Sequence, residues 1–185
     1  MHKYLYKQYY FIEKFDKNHL KKINKKINLI YRNYSKVHDE RTIKNLARFC
    51  SIENRKLFIA NDFKLALKMN INGVYLPSFN KSLKHNIYGL KKNFQIIGSA
   101  HNIREIKEKE LQGVKVIFLA PLFKKEKKWL GINKFNFLSN QTNQKIVALG
   151  GISKQNLKKL NLLKIFGFAG ISYFEQKKTA PKRGR

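Results

Sequence analysis

The chain has 185 residues, 43 % of them hydrophobic and 13 % aromatic, which is enough to bury one sizeable core and too apolar for a disordered chain. Its formal net charge of +29 points either to a polyanionic partner or to lysines spread over solvated faces. The single Cys50 excludes a disulfide framework, and no apolar run approaches the ~20 residues of a membrane span.

In chain order, Tyr4–Phe11 reads as a first aromatic strand, followed by a helix over about His19–Lys26. Ile27–Tyr31 is the second strand and ends in Arg32, a charge within an otherwise apolar run. Such a charge needs an anionic ligand or a salt bridge. A helix from about Asp39 carries Ile43, Leu46, Ala47 and Cys50 at helical spacing, which puts Cys50 in the core. Lys56–Ala60 is a third strand, ending in Asn61-Asp62. Asp62 is a metal or donor ligand on one reading and the N-cap of the next helix on the other, and the cap is favoured. That helix carries Leu65, Ala66 and Met69. Gly73–Leu76 is a short fourth strand, with Leu83, Ile87 and Leu90 marking a fourth helix.

The second half is more regular. FQIIGSAHNIREI, VKVIFLAPLF, KIVALGGISKQNL and FGFAGISYF follow in order, each an apolar run ending in small or polar residues before a helix start. That is how strands buried on both faces of a parallel sheet read. The strands are placed at Phe94–Gly98, Val114–Ala120, Lys145–Leu149 and Gly167–Ile171. Asn102 and Glu105 form an N-cap pair, a helix lies near Lys134–Asn140, and Ser153 caps a seventh helix with Leu157 and Leu160 inside. Eight strand–helix alternations predict an α/β chain with a compact, single-domain (β/α)8 TIM barrel over residues 1–176. Residues 177–185 (KKTAPKRGR) read as a basic, disordered tail.

The unusual residues fall at strand ends, where such barrels do chemistry. His101 closes the fifth strand and is either a general acid or base at the mouth or a capping or core histidine. Gly150-Gly151 closes the seventh, and Gly170-Ile171-Ser172 the eighth; loops there expose backbone N–H groups and form a phosphate site. Lys124, Lys125, Lys127 and Lys128 either clamp an anion or form a solvated loop.

These strand ends resemble the thiamin phosphate synthase/thiazole tautomerase (TenI-like) superfamily from about Tyr4 to Phe174. The pieces that carry the resemblance are FIANDFKLALKMNINGVYLP, GSAHNIREI, APLF, VALGGIS and AGIS. The resemblance implies a compact (β/α)8 barrel acting on a thiazole phosphate. Synthases of the family couple it to a pyrimidine pyrophosphate with Mg²⁺; its tautomerases move a proton without metal. By the same resemblance Arg32 falls on a pyrophosphate-contacting arginine, with Tyr34 where the family has lysine. Asn61 falls at the substrate site, and Asp62 on a Mg²⁺ ligand. About Asn80 stands where the second carboxylate would be, so any Mg²⁺ binding is weak. Lys128 remains from the strand-six motif, which has lost both threonines. His101 falls on the tautomerase acid/base, and Gly151, Ile171 and Ser172 on the thiazole-phosphate site.

Expected partners are a thiazole phosphate-type small molecule and, as an option, a second copy of the chain. Specific nucleic-acid binding is not expected, because the lysines are scattered and no zinc spacing, RNP-like motif or helix-turn-helix signature accompanies them. No membrane partner is expected. Met1–Lys14 lacks a long apolar stretch and a small-residue cleavage site, which makes a cytoplasmic protein the expectation. The rival to an enzyme is a degraded barrel that only binds a phosphorylated ligand, or a basic nucleic-acid-binding protein.

Overall fold

The computed structural model describes residues 6–34, 39–124 and 129–175. Eight parallel strands close into a barrel in sequential order: β1 Lys7–Ile12, β2 Asn28–Tyr31, β3 Leu57–Ala60, β4 Gly73–Leu76, β5 Gln95–Ala100, β6 Val116–Leu119, β7 Lys145–Leu149 and β8 Gly167–Gly170. The ring closes where Tyr9 and Tyr10 of β1 register with Ala169 and Gly170 of β8. Strands β2, β3, β4 and β6 are buried along their whole length, as runs covered on both faces must be.

Alternation along each strand divides the apolar residues into two packed layers. Tyr9, Phe11, Phe58, Tyr75 and Phe118 fill the lumen with Ile30, Ile97, Val116, Val147 and Ala169. Phe11, Tyr75 and Phe118 meet edge-to-face at 5.2–6.0 Å, a favoured ring geometry. Large rings close a narrow barrel with few residues, so the lumen is a packed floor rather than a channel. The outer layer lies between strands and helices and includes Ile43, Leu46, Cys50, Leu65, Ile106, Phe135 and Leu160. Cys50 is buried and free, and burial pushes its thiol up to about 12.

Among the described residues six helices cover the barrel: α1 Lys17–Lys21, α2 Glu40–Ile52, α3 Phe63–Lys68, α4 Ile103–Leu111, α5 Gly131–Ser139 and α6 Ser172–Glu175. Their starts are set by local chemistry. Asp16 accepts from the His19 amide, Asp39 from Arg41 and Thr42, and Asn102 from Glu105, each satisfying a backbone donor that the helix cannot. The first helix is shorter than expected and starts earlier, because Asp16 rather than His19 sets its cap.

Two expected helices do not form. Between β4 and β5 there is only a 3-10 turn, Lys84–Ile87, with Ile87 84 % exposed. Asn80 Oδ1 accepts from the Ser82 amide and Ser82 Oγ from the Lys84 amide, local bonds that compete with a helix. Between β7 and β8 the chain makes a 3-10 stretch, Leu157–Leu162, that still buries Leu160. Ser153 does not cap it. Instead Asn156 Oδ1 accepts from the Ser153 amide, and its Nδ2 donates to Gly151 O at 2.7 Å. These two shortened crossovers let eight βα units fit in a chain this small. Among the described residues no helix is long and apolar enough to cross a membrane.

Candidate active site at the barrel mouth

A cavity of about 640 Å³ opens at the C-terminal ends of the strands, within the size range of small-molecule sites. Arg32, His101, Gly150, Gly151, Gly170, Ile171 and Ser172 all line it, with Lys124. Among the described residues no Asp or Glu does. Cationic and neutral groups lining an open concavity favour an anionic ligand.

Gly150 and Gly151 have φ of +95° and +73°, a region that side chains rarely occupy. A Cβ at Gly150 would sit 2.8 Å from Pro121, and one at Gly151 2.5 Å from the Lys124 amide nitrogen. The pair therefore lets the β6 loop lie directly on the β7 loop. Leu122 N donates to Leu149 O at 2.8 Å, and Phe123 N to Gly150 O at 2.9 Å. Trp129 Nε1 donates to Leu122 O and fixes the far end of the same loop. The Ala120-Pro121 peptide is cis. Among the described residues the amides of Gly151, Ile171 and Ser172 donate to no backbone acceptor. Backbone donors of this kind suit a phosphate.

His101 follows β5 directly. Its Nδ1 lies 2.7 Å from Glu105 Oε2, and its backbone N–H donates to the same oxygen at 2.7 Å. A carboxylate only accepts, so Nδ1 carries a proton towards Glu105, and in the neutral ring Nε2 then keeps the lone pair. Glu105 is itself placed by Asn102, whose Nδ2 donates to Oε1 at 3.1 Å and whose Oδ1 accepts from the Glu105 amide at 2.9 Å. The capping pair seen in the sequence is thus also the support for the histidine. The sequence reading stopped at the cap and did not assign Glu105 to the site. The four-residue step from His101 to Glu105 across a helix start was the available signal.

Arg32 extends over two rings, 4.9 Å from the Phe11 centroid and 5.8 Å from that of Tyr34. Among the described residues it pairs with the Glu13 carboxylate at 3.9 Å. Among the described residues the charge noticed in the sequence thus has a loose salt bridge, which leaves it capacity for an anion. Below it, Tyr75 is buried; burial raises its phenol above the ordinary range, against a hydrogen bond with Ser99 that lowers it.

Asp62 and Asn61 do not join this group. They line a separate hollow of about 260 Å³ with Asn80, Lys84 and His85. Asp62 Oδ1 accepts from the Leu65 amide at 2.9 Å and caps α3. Asn61, at φ +60°, accepts at Oδ1 from Asn80 Nδ2 at 2.8 Å. Asn80 is held in turn by α4: Gln112 Nε2 donates to Asn80 O and Ser82 O, and Lys109 Nζ donates to Asn80 O at 2.7 Å. An amide pair thus stands where a metal site would need a second carboxylate. Among the described residues no group of three His, Cys, Asp or Glu could hold a metal. Mg²⁺ is usually held by one or two carboxylates plus substrate phosphates, and Asp62 is the one carboxylate lining this hollow among the described residues, which makes a poor Mg²⁺ site of the protein atoms alone. Lys128, Lys125–Lys127 and the tail 177–185 lie outside the described residues.

A closed parallel barrel with cationic and neutral groups and a supported histidine at the C-terminal ends of its strands places the chain in the (β/α)8-barrel fold class. Residues 20–174 match the TMP-TENI family, thiamine monophosphate synthase, and the chain belongs to that family. It is 33 % identical over 124 residues to a putative thiamine-phosphate synthase 2 of Aquifex aeolicus, covering 64 % of this chain and 65 % of that one. It is 35 % identical over 125 residues to a thiamine-phosphate synthase of Prochlorococcus marinus, covering 63 % and 35 %. The chain thus spans just under two thirds of one relative and about a third of the other. The fold is similar to that of a thiamine phosphate pyrophosphorylase from Pyrococcus furiosus, with a TM-score of 0.70 at 19 % identity over 90 % of this chain and 85 % of that one.

Proposed function

We propose that this protein is a thiamin-biosynthesis enzyme that binds a thiazole phosphate in the barrel mouth and moves a proton on its ring. The observation that carries the reading is the His101–Glu105 pair beside a mouth free of carboxylates among the described residues. The phosphate rests on the amides near Gly151, Ile171 and Ser172, with Gly150 and Gly170 allowing close approach. Nε2 of His101 takes a proton from a ring carbon, while Glu105 holds the ring and stabilises the imidazolium that forms. The imidazolium then returns a proton to a substrate carbon outside the ring, so that the double bonds close into an aromatic ring. A general acid/base of this kind contributes about 10²–10⁴ in rate. Arg32 and Lys124 supply positive potential, and Lys128 is a further candidate from the same loop. The role does not call on Asp62 or a metal, and Asn61 is assigned to shaping the neighbouring loop. The buried, unreactive Cys50 fits a reducing cytoplasm.

A second reading is thiamine-phosphate synthase, the name carried by the curated relatives. It is favoured by Arg32, whose guanidinium stands at the mouth where a leaving pyrophosphate would need charge. Turnover separates the two. The protein is incubated with the non-aromatic thiazole phosphate carboxylate, and separately with thiazole phosphate, pyrimidine pyrophosphate and Mg²⁺. The proposal expects aromatised product in the first mixture. Thiamin phosphate in the second and nothing in the first would overturn it.

A further inference from the structure

A second cavity, of about 650 Å³, lies at the end of the barrel opposite to the mouth. It opens between α2 and α3, where Lys56 leads into β3 and Asn72 into β4. Lys44, Arg48, Arg55, Lys56 and Lys68 line it, and among the described residues no Asp, Glu or aromatic ring does. Lys68 is answered by Glu40, whose two oxygens accept from its Nζ at 2.8 and 2.7 Å. Arg55 is buried, at 4 % exposure. Its Nη2 donates to Ile23 O at 2.9 Å, just past α1, which ties the guanidinium in place. Its Nε and Nη1 have no hydrogen-bond partner among the described residues. Glu53, two residues before it, is paired with Lys25 at 3.0 Å. A guanidinium keeps its proton, and a buried charge is costly until a counter-charge stands near it. Asn70 and Asn72 also line the cavity. Their side-chain oxygens accept from Lys91 Nζ and from the Leu57 amide, and their NH₂ groups are further donors.

We propose that this end of the barrel carries a second anion site, which takes a small oligophosphate: linked phosphate groups without a base. Charge sets the class of ligand. The C-termini of α2 and α3 meet here and bring about one unit of partial negative charge between them. That is less than the charge of Lys44, Arg48, Arg55 and Lys56 together. A ligand with several charges matches this surplus better than a monoanion does. Shape sets the size: a hollow of this volume encloses a small molecule, whereas a nucleic-acid strand needs a groove that tracks its backbone. The lining excludes a base, because among the described residues it has no ring to stack on. The exposed Lys44, Arg48 and Lys56 meet the phosphate oxygens. Arg55 lies beneath them as a fixed charge that salt screens little. The proposal is independent of how the mouth is read.

The test is an NMR titration of the full chain with inorganic tripolyphosphate in about 150 mM NaCl, where diffuse surface attraction is largely screened. Wild type should show saturating amide shifts at residues 54–56 and 70–72. Arg48→Glu and Lys56→Glu should each weaken that binding by roughly tenfold. Lys134→Glu, an exposed position on α5, changes the net charge equally and should stay within about twofold. Arg55→Met should weaken binding and Arg55→Lys, which keeps the charge, should restore most of it; the exposed Arg48 and Lys56 variants decide the matter if Arg55→Met does not fold. ATP should bind no more tightly than tripolyphosphate. Equal loss in Lys134→Glu would reduce the effect to net charge and overturn the proposal, as would shifts confined to the mouth. A single-stranded RNA oligonucleotide that binds more tightly than tripolyphosphate, and loses affinity in Arg48→Glu, would overturn it in favour of a nucleic-acid surface.

Discussion

Gly151→Ala tests whether the β7 turn is the platform on which the phosphate end is built. The backbone there has φ of +73°, and a Cβ would come 2.5 Å from the Lys124 nitrogen and 2.8 Å from the Phe123 carbonyl carbon. Both neighbours are backbone, so no side chain can swing away. A left-handed conformation costs a non-glycine residue about 1–2 kcal/mol, and overpacking adds about 1–3 kcal/mol. Together these give roughly 3 kcal/mol, or about 10 °C in Tm for a chain of this size. If the loop yields instead, the Gly151 amide moves, and loss of one hydrogen bond to a charged group weakens phosphate-ester binding by about tenfold or more. For stability, though not for phosphate binding, Gly170→Ala is the matched control: its Cβ would meet only Tyr173 Cβ at an ordinary 3.6 Å. Thermal melts and calorimetric titration with thiazole phosphate are run on both variants. If Gly151→Ala melts and binds like wild type, or Gly170→Ala is the more damaging to stability, the steric account of the turn is wrong.

Asp62→Ala should lose about 1 kcal/mol from the lost helix cap, whereas Asp62→Asn should keep both stability and turnover; a Mg²⁺-dependent activity loss in Asp62→Asn would reinstate a metal role. Glu105→Gln should lower turnover by part of the ~10²–10⁴ ascribed to acid/base catalysis and barely change thiazole phosphate affinity, which a kcat-against-KM comparison reads. Lys109 is fully buried, and burial lowers its pKa from 10.5 to about 8. The folded state therefore disfavours its charged form. Below pH 8 the ammonium is charged in both states and the penalty is fully present; it is relieved as pH rises from about 8 towards the unfolded value near 10.5. Denaturant melts of wild type should thus gain more stability over that window than melts of Lys109→Met, and parallel pH profiles would contradict this.

The barrel was legible because each strand is a short apolar run with a polar end, and the tight spacing of those ends admits little but βα units. The helices failed where side chains compete with the backbone. Leu83, Ile87 and Leu90 have helical spacing, but Asn80 and Ser82 capture the amides that would start the helix. Ser153 looked like a cap, but Asn156 reaches across the turn to both Ser153 and Gly151. The mouth residues were legible because a strand end fixes direction: Arg32, His101, Gly151 and Ser172 follow four different strands and line one cavity. Asp62 follows a strand as well, yet it turns into its own helix start and lines a different hollow. Strand position does not distinguish a carboxylate that faces the ligand from one that satisfies a backbone amide. Glu105 was missed as a site residue for the converse reason, since a capping residue was given one role when its two oxygens serve two.

The central claim is that His101 moves a proton on the ring without a metal. It is tested by following aromatisation of, and deuterium exchange in, the non-aromatic thiazole phosphate carboxylate in D₂O by NMR, with EDTA present, for wild type and His101→Ala. The account predicts exchange and aromatisation by wild type that EDTA leaves unchanged, reduced by about 10²–10⁴ in His101→Ala, with thiazole phosphate affinity preserved. Full exchange in His101→Ala, or exchange by wild type only after Mg²⁺ is added, would contradict it.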